Sequence, residues 1–282
     1  MTSAPLASVV IPAHDEGVTI DRCLSVLLAD AYPGEFEVVV AANGCTDDTV
    51  ERARRHMAVT VLDLPSIGKA RALNAGDGVA SALPRIYLDA DVELSTRAAR
   101  SVVEVLRTGR ADIAAPRPRP LTARCSWLVR AYYAIWSELP VITEGYVGSG
   151  VYAVSAPGHA HLTPFPDVVA DDQYARRRFA ADRRVQTDES FDFHPARTAR
   201  ALVHRSVRVQ AGNRQLLATV GDLAPETSSR GVRGVLDVVR SHPRRVPQAV
   251  VFLAIGGVIR VGVRREQQRG GDITWNRDSS SR

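Results

Sequence analysis

The chain has 282 residues, a length that suits one large domain or two small ones. Apolar residues make up 45% and charged residues 24%, a balance that excludes a disordered or collagen-like chain. Three cysteines, Cys23, Cys45 and Cys125, are too few and too far apart for a disulfide scaffold or a zinc site, and their odd number is typical of a reducing compartment. We therefore expect a cytoplasmic protein.

The positive charge of the chain is concentrated near its C-terminal end. The net charge is +5, but nine arginines against Asp237 and Glu266 give +7 to residues 230–270 and leave −2 for the rest. Lys69 is the one lysine among 36 basic side chains, which marks it as a candidate functional residue.

Neither end of the sequence carries a predicted membrane-spanning segment. The N-terminal residues lack the cationic start and the apolar run of a signal peptide. The longest apolar run, residues 249–259, has eleven residues, whereas about 20 are needed to cross a bilayer.

The first 120 residues alternate apolar runs with amphipathic segments, which predicts a parallel sheet with right-handed crossovers. The predicted strands are Ser8–Ile11, Phe36–Ala42, Val59–Leu64, Arg85–Leu88 and Ile113–Ala115. The predicted helices are Thr19–Asp30, Thr46–Met57, Lys69–Ser81 and Ser95–Arg107. The elements predicted beyond them are an exposed extended connector at Pro116–Pro120, a helix at Ser126–Glu138, a strand at Val151–Val154 and a helix at Asp171–Ala181.

Polar residues follow three of these strands, at the sheet edge where parallel sheets bind their ligands. They are Pro12–Glu16, Asn43–Asp48 and Asp89–Asp91. Within the second group, Thr46, Asp47 and Asp48 also suit the start of a helix, so a capping role and a ligand role both remain open there.

Asp89 and Asp91 form the sharpest pattern, two carboxylates one residue apart at the end of an apolar run. Like charges this close are costly unless a cation lies beside them. Because Mg²⁺ typically takes one or two carboxylates together with phosphate oxygens, the pair indicates a metal and diphosphate site.

Three further groups of residues are candidates for function. Asp171 and Asp172 begin a predicted helix. Either one of them acts as a general base, or both only cap the helix. Gly68 and Lys69 begin another helix, and a helix N-terminus with a lysine is a typical anion-binding site. The sequence contains neither a P-loop nor a dinucleotide-binding fingerprint. Core packing and an acceptor platform both remain open for the aromatic stripe of Trp127, Tyr132, Tyr133 and Trp136.

Seven segments between Val9 and Leu217 resemble, in order, the family 2 glycosyltransferases of the GT-A fold. They are VVIPAHDE, NGCTDDT, GKARALNAG, LDADVEL, GSGVYAV, ADDQY and RVQAGN. The resemblance implies an α/β fold, with a mostly parallel, Rossmann-like sheet flanked by helices and a basic helical tail. It also implies a catalytic domain at 1–229, with a nucleotide-sugar-binding half at 1–118 and an acceptor-side half at 119–229, followed by an amphipathic tail at 230–282.

The resemblance also implies a role for each matching residue. The residues that would bind the donor are Pro12, His14, Glu16 and Asn43 at the base and ribose, Lys69, Asn74, Arg205 and Arg208 at the diphosphate, and Asp89 with Ala90 toward the ribose and sugar. Asp91, beside Asp89, would hold Mg²⁺ or Mn²⁺. The residues that would shape the sugar and acceptor pocket are Gly148, Ser149 and Gly150. Asp172 would be the catalytic base of an inverting transfer, and Asp171 stands where the family usually has Glu.

The implied activity is metal-dependent transfer of one hexose from a nucleotide-diphosphate sugar to an acceptor hydroxyl. Ala42-Asn43 stands where the family often has two acidic residues, which leaves the base open, with a UDP-sugar favoured over a GDP-sugar. The Q-x-x-R-W signature of processive members is missing, so we expect a single transfer. The alternative function is a non-catalytic nucleotide-sugar or membrane-binding module of the same fold.

The segment HPRRVPQAVVFLAIGGVIRVGVRR places a short apolar run between arginines. This pattern suits a helix lying on an anionic membrane, here the inner face of the cell membrane, and a lipid-linked acceptor would explain it. A helix packed on the catalytic domain, with a small-molecule acceptor, remains equally open. We expect no nucleic-acid partner.

Overall fold

The computed structural model describes residues 4–65, 68–168, 170–220, 223 and 232–269. Within these residues one sheet has the strand order β3-β2-β1-β4-β7-β6-β8-β5. The strands are β1 (Ala7–Ala13), β2 (Phe36–Asn43), β3 (Val59–Leu64), β4 (Arg85–Leu88), β5 (Val92–Glu93), β6 (Ile113–Pro120), β7 (Val151–Val154) and β8 (Arg184–Phe193). The helices are α1 (Ile20–Leu28), α2 (Thr49–Arg54), α3 (Lys69–Val79), α4 (Thr96–Arg107), α5 (Trp127–Trp136), α6 (Pro140–Thr143), α7 (Ala156–Leu162), α8 (Asp171–Arg178), α9 (Ala199–Thr219), α10 (Val232–Ser241) and α11 (Val246–Arg269).

The first half of the chain forms the parallel part of the sheet, as its alternating pattern predicts. β1 pairs in parallel with β2 and β4, and β2 pairs in parallel with β3. Every residue of β1 is buried, because helices cover both faces of the sheet. The carboxyl ends of β1, β2 and β4 therefore lie at one edge, together with the polar residues that follow them.

β7 enters the sheet antiparallel to β4 and brings a glycine-rich turn to this edge. Leu88 pairs with Val151, and the Asp89 N–H donates to the Gly150 carbonyl over 2.8 Å. Beyond β7 the sheet is mixed, since β6 pairs antiparallel with β7 and parallel with β8. The expected α/β architecture, a mostly parallel sheet flanked by helices, is confirmed.

The segment Pro116–Pro120 is extended as predicted, but it is not a free connector. It forms the end of β6 and pairs with β8, with an irregularity in the ladder between Ala115 and Arg117. β6 pairs with β7 only through Ile113 and Ala114, so beyond them β8 is its one ladder partner. Prolines are tolerated in a strand where the missing N–H faces the side without a ladder.

The two expected halves, 1–118 and 119–229, contribute strands to the same sheet. The expected boundary between the catalytic domain and the tail, at residues 229–230, lies outside the described residues.

The apolar segment of the tail forms a longer helix than its uninterrupted run predicts. α11 has 24 residues and packs against α5 and α9. The segment Pro243–Gln268, with a mean hydropathy of 1.9, is long and apolar enough to cross a membrane, judged by length and composition alone. Core helices of soluble proteins meet the same criterion.

Candidate functional site

A cleft of about 390 Å³ opens at the carboxyl ends of β1 and β4. The predicted site residues that line it are Pro12, His14, Glu16, Lys69, Asp89, Ala90, Asp91, Ser149, Gly150, Asp171, Asp172, Arg205 and Arg208. Most of the residues selected from the sequence therefore meet in one place. Asn43, Asn74 and Gly148 do not line the cleft.

Lys69 joins the two acidic pairs. It begins α3 directly after Gly68, and its Nζ lies 2.7 Å from Asp89 Oδ1 and 2.7 Å from Asp171 Oδ1. The Lys69 side chain is only 11% exposed. Burial opposes its positive charge, but Asp171 and Asp89 outweigh that effect and raise the pKa of Lys69. The ammonium group is therefore a fixed charge between two carboxylates.

Asp171 and Asp172 are adjacent in sequence but have different surroundings. Asp171 is buried, with one oxygen on Lys69 and the other accepting a hydrogen bond from the Tyr152 hydroxyl over 3.0 Å. Asp172 is half-buried and lines the cleft. Its carboxylate accepts from the backbone N–H of Ser149 over 3.1 Å and from that of Gln173 over 2.7 Å. The two bonds fix the orientation of the Asp172 carboxylate at the cleft.

Of the Asp89 and Asp91 pair, only Asp89 has a cationic partner among the described residues, Lys69. Burial raises the pKa of Asp89 to about 7, with Asp171 and Asp91 adding to the rise and Lys69 opposing it. Asp91 is half-buried, and its carboxylate has no hydrogen bond or ion pair within the described part of the chain. Two carboxylates, one of them with uncommitted oxygens, are a donor set that suits a hard divalent cation.

The turn before β7 brings the backbone close to both acidic pairs. Gly148 and Gly150 have φ values of +136° and +94°, and Ser149 between them has φ +63°. A Cβ on Gly150 would lie 2.8 Å from Val92 Cγ2 and 3.1 Å from Asp89 Oδ2. A Cβ on Gly148 would lie 3.2 Å from Asp172 Oδ2. These glycines allow one turn to contact Asp89 and Asp172 together.

We expect Gly150→Ala to lower the free energy of unfolding by about 1 to 3 kcal/mol, because the positive φ is strained for alanine. The added methyl group would also press on Val92 and Asp89. Gly78→Ala is the matched control, since Gly78 lies in α3 with no other atom within 4 Å of an added Cβ. That control should gain about 0.5 to 1 kcal/mol. Urea unfolding measures both, and an equal response of the two variants would contradict the tight turn.

Hydrogen bonds hold the loops that follow β1 and β2 together. His14 Nδ1 lies 2.6 Å from the Asn43 carbonyl, so the described contact of Asn43 with His14 uses its backbone. Asp15 accepts from the Thr46 N–H over 2.7 Å, and that bond lowers the pKa of Asp15. Asp47 accepts from the N–H groups of Gly17 and Thr49. Asp47 thus binds the N–H of the first residue of α2 and also links the two loops.

Asp15, Cys45 and Asp47 form a group that could hold a metal, with one ligand atom from each within 4.8 Å of the others. Both carboxylates already accept backbone hydrogen bonds between the loops. Asp89 and Asp91, in the cleft, have fewer such commitments and fit a metal better.

Asn74 is committed to a different contact from the predicted one. Its side-chain amide donates to the Phe165 carbonyl over 2.9 Å and accepts from the Phe165 N–H over 2.8 Å. Asn74 therefore ties α3 to the segment that leads to Asp171 and Asp172. Its role at the diphosphate stays a prediction.

Two helices supply cleft residues whose roles the sequence left open or did not reveal. α5 contributes Tyr132, Tyr133 and Trp136, whereas Trp127 of the same stripe lies outside the cleft and is 58% exposed. The cleft residues of α9 are Leu202, Arg205, Ser206, Arg208, Val209, Gln210, Gly212 and Asn213. Spacings of three and four residues run through this group, and that helical periodicity is the pattern that would have revealed α9.

Residues 8–131 match the family model described as Glycosyl transferase family 2. Glycosyltransferase AglE of Haloferax volcanii is 33% identical over 98 residues, which cover 32% of this chain and 32% of that protein. Validoxylamine A glucosyltransferase of Streptomyces hygroscopicus subsp. limoneus is 31% identical over 129 residues, or 44% of this chain and 27% of that protein. The matches thus span less than a third of the length of these curated relatives.

Solved structures share the fold over most of the chain. The mannosyltransferase PcManGT of Pyrobaculum calidifontis has a TM-score of 0.58 at 20% identity, over 94% of this chain and 81% of that chain. Glucosyl-3-phosphoglycerate synthase of Mycobacterium tuberculosis has a TM-score of 0.54 at 22% identity, over 78% and 81%. The sheet and its cleft define an α/β protein of the GT-A fold. Over residues 8–131 the chain is similar to the family 2 glycosyltransferases.

Proposed function

We propose that the protein transfers one sugar from a nucleotide-diphosphate sugar to an acceptor hydroxyl, with inversion at the anomeric carbon. The observation that carries this proposal is that Lys69 joins Asp89 to Asp171 within one cleft that Asp91 and Asp172 also line. Asp89 and Asp91 are thereby available to hold a metal ion at the donor diphosphate. Asp172 is available to the acceptor hydroxyl.

The donor would lie at the ends of β1 and β4. Pro12, His14 and Glu16 line this part of the cleft and would contact the base and ribose, with Asn43 behind His14. The structure of PcManGT is a complex with GDP-Man and Mn²⁺, and that of the mycobacterial synthase contains UDP and Mn²⁺. A UDP-sugar is our favoured donor and a GDP-sugar the second choice.

Asp91 and Asp89 would hold Mg²⁺ or Mn²⁺, which supplies positive charge to the donor diphosphate when bound. Arg205 and Arg208 line the cleft from α9 and would face the same phosphates as negative charge develops on the leaving group. Lys69 would act on the donor indirectly, by holding the Asp89 carboxylate, because its ammonium group already pairs with Asp89 and Asp171.

Asp172 would take the proton from the acceptor hydroxyl. Its carboxylate is oriented by the Ser149 and Gln173 N–H groups and lines the cleft. The acceptor oxygen then attacks the anomeric carbon from the face opposite the diphosphate, the bond to the phosphate oxygen breaks, and the product has the inverted configuration. Asp171 would hold Lys69 in position instead of exchanging protons, since both of its oxygens are engaged.

The acceptor would be bound by the second half of the catalytic domain, 119–229. Tyr132, Tyr133 and Trp136 of α5 and Tyr146 line the cleft there. Aromatic rings of this kind offer large apolar faces that suit a sugar or another bulky acceptor.

Thermal unfolding with nucleotides tests the proposal. We expect UDP or GDP with Mn²⁺ to raise the melting temperature, because a ligand at about 100 times its dissociation constant adds about 2.7 kcal/mol to stability. Asp91→Ala should lose the Mn²⁺-dependent part of the shift. The control Asp63→Ala, at an exposed carboxylate of β3, should keep it.

Two results would count against the proposal. If no nucleoside diphosphate stabilises the protein, nucleotide-sugar transfer is wrong. If a nucleotide stabilises it but no nucleoside diphosphate is released from the matching sugar donor, the non-catalytic binding module of the same fold is favoured instead.

A further inference from the structure

α11 is apolar on two sides, but only one side is buried. Ala249, Ile255, Ile259 and Val263 pack into the protein and are at most 7% exposed. The opposite side, which we call the outer face of α11, consists of Val246, Val250, Leu253, Ala254, Val258 and Val261. Val250 and Val258 on it are 61% and 56% exposed. A helix that is apolar all round usually has a packing partner on each side. Among the described residues, the outer face has no such partner.

Neighbouring helices extend this apolar surface. Leu128 of α5 and Val203 of α9 line a shallow groove together with Val250 and Val258. Trp127, beside Leu128, is 58% exposed. Large contiguous apolar patches of this kind mark interaction sites with proteins or membranes.

The charges around the outer face are mostly positive. Arginines flank it at both ends and border the groove, and they are Arg200, Arg244, Arg245, Arg260, Arg264 and Arg265. Only Arg245 has an acidic partner among the described residues, Glu138 at 3.1 Å. Within Pro243–Gln268 the single acidic residue is Glu266. The partner of this surface must therefore accept apolar side chains and supply negative charge.

We propose that the outer face of α11, together with Trp127 and Leu128, docks the protein on an anionic lipid bilayer, with α11 lying along the membrane surface. The apolar side chains would enter the headgroup region while the arginines pair with lipid phosphates. A second copy of the chain fits less well, because pairing two such faces would bring their arginines together. Spanning the bilayer would require α11 to leave α5 and α9, against which its other side is packed.

The surface has a direct link to the cleft. Phe252 of α11 stacks on Tyr132 of α5 at a centroid distance of 4.8 Å, and Tyr132 also lines the cleft. A docked bilayer would therefore lie next to the helices that border the acceptor side of the cleft.

Co-sedimentation of the full chain with lipid vesicles tests this docking. We expect binding to vesicles of phosphatidylglycerol and phosphatidylcholine, weak binding to phosphatidylcholine alone, and release at high salt. Arg264→Gln with Arg265→Gln should weaken binding about 30-fold, because each arginine near an anionic surface contributes about a fivefold gain. Val250→Gln with Val258→Gln should weaken it at least about tenfold.

Matched controls lie on exposed positions far from the tail in sequence. The variant with Val79→Gln and Met57→Gln changes two exposed apolar side chains, and Arg55→Gln changes an exposed arginine. Both control variants should bind the vesicles as the unaltered protein does. The proposal is overturned if the unaltered protein does not bind anionic vesicles, or if the Val250 and Val258 variant binds as tightly. It is also overturned if the protein is a dimer in solution that these two substitutions dissociate. Vesicle binding needs no sugar transfer, so its outcome is independent of the nucleotide experiment.

Discussion

Replacing Asp172 with asparagine is expected to slow sugar transfer by about 100- to 10,000-fold, the usual contribution of a general base. The variant keeps the side-chain shape and the oxygen that accepts from the Ser149 N–H, but its amide nitrogen can neither take a proton nor accept from the Gln173 N–H. Binding of the nucleotide should be unchanged, because Asp89 and Asp91 are untouched. The rate is measured as release of nucleoside diphosphate from the sugar donor whose nucleotide raises the melting temperature of the protein. Water serves as the first acceptor.

Asp167→Asn is the matched control for this substitution. Asp167 lies five positions before Asp172, its side chain is 72% exposed, and its nearest ionic partner is Arg71 at 3.7 Å. We expect the control to retain the full rate. A rate for Asp172→Asn within a few-fold of the unaltered protein would contradict the assignment of Asp172 as the base.

Replacing Lys69 with methionine should have the largest effect on stability. The substitution leaves the Asp89 and Asp171 carboxylates without their shared cation, and removing one member of a buried ion pair typically costs about 3 to 5 kcal/mol. Urea unfolding near pH 8 gives the loss of free energy of unfolding. Arg71→Met, two residues further along α3 at an exposed position, should cost less than about 0.5 kcal/mol.

The loss caused by Lys69→Met should shrink as the pH falls. Lys69 is the described group that lowers the pKa of Asp89, which burial and other carboxylates raise to about 7, so its removal raises that pKa further. The folded variant then holds a proton on Asp89 that the unfolded chain, with an ordinary pKa of 3.8, releases. Stability of the variant therefore increases as the pH falls from about 8 toward 5. A loss that stays constant over this range would contradict the triad of Lys69, Asp89 and Asp171.

Local patterns were sufficient for the first half of the fold and for the acidic residues of the cleft. Continuous apolar runs identified β1, β2 and β4, and the residues directly after β1 and β4 line the cleft because parallel strands end at one edge. The partners of Lys69 could not be read in this way. They depend on a tertiary contact between the first residues of α3 and α8, which no local pattern encodes.

The second half was harder because its patterns are weak. Along α9 only Leu202, Gly212 and Leu216 are buried, so its apolar stripe is narrow and arginines of the cleft interrupt it. Asn74 contacts Phe165, 91 positions away, and its role as a brace is invisible in the sequence. The uninterrupted apolar run ends before Arg260 and predicts a shorter helix than α11, which continues past that residue.

We propose that one cleft binds the donor through Asp91 and activates the acceptor through Asp172. Calorimetric titration of UDP and GDP into the unaltered protein, Asp91→Ala and Asp172→Asn, each with and without Mn²⁺, separates these two roles. We expect Mn²⁺-dependent binding of one nucleotide to the unaltered protein and to Asp172→Asn, and loss of that dependence in Asp91→Ala. Binding of neither nucleotide to the unaltered protein, or equal Mn²⁺-dependent binding to Asp91→Ala, would contradict it.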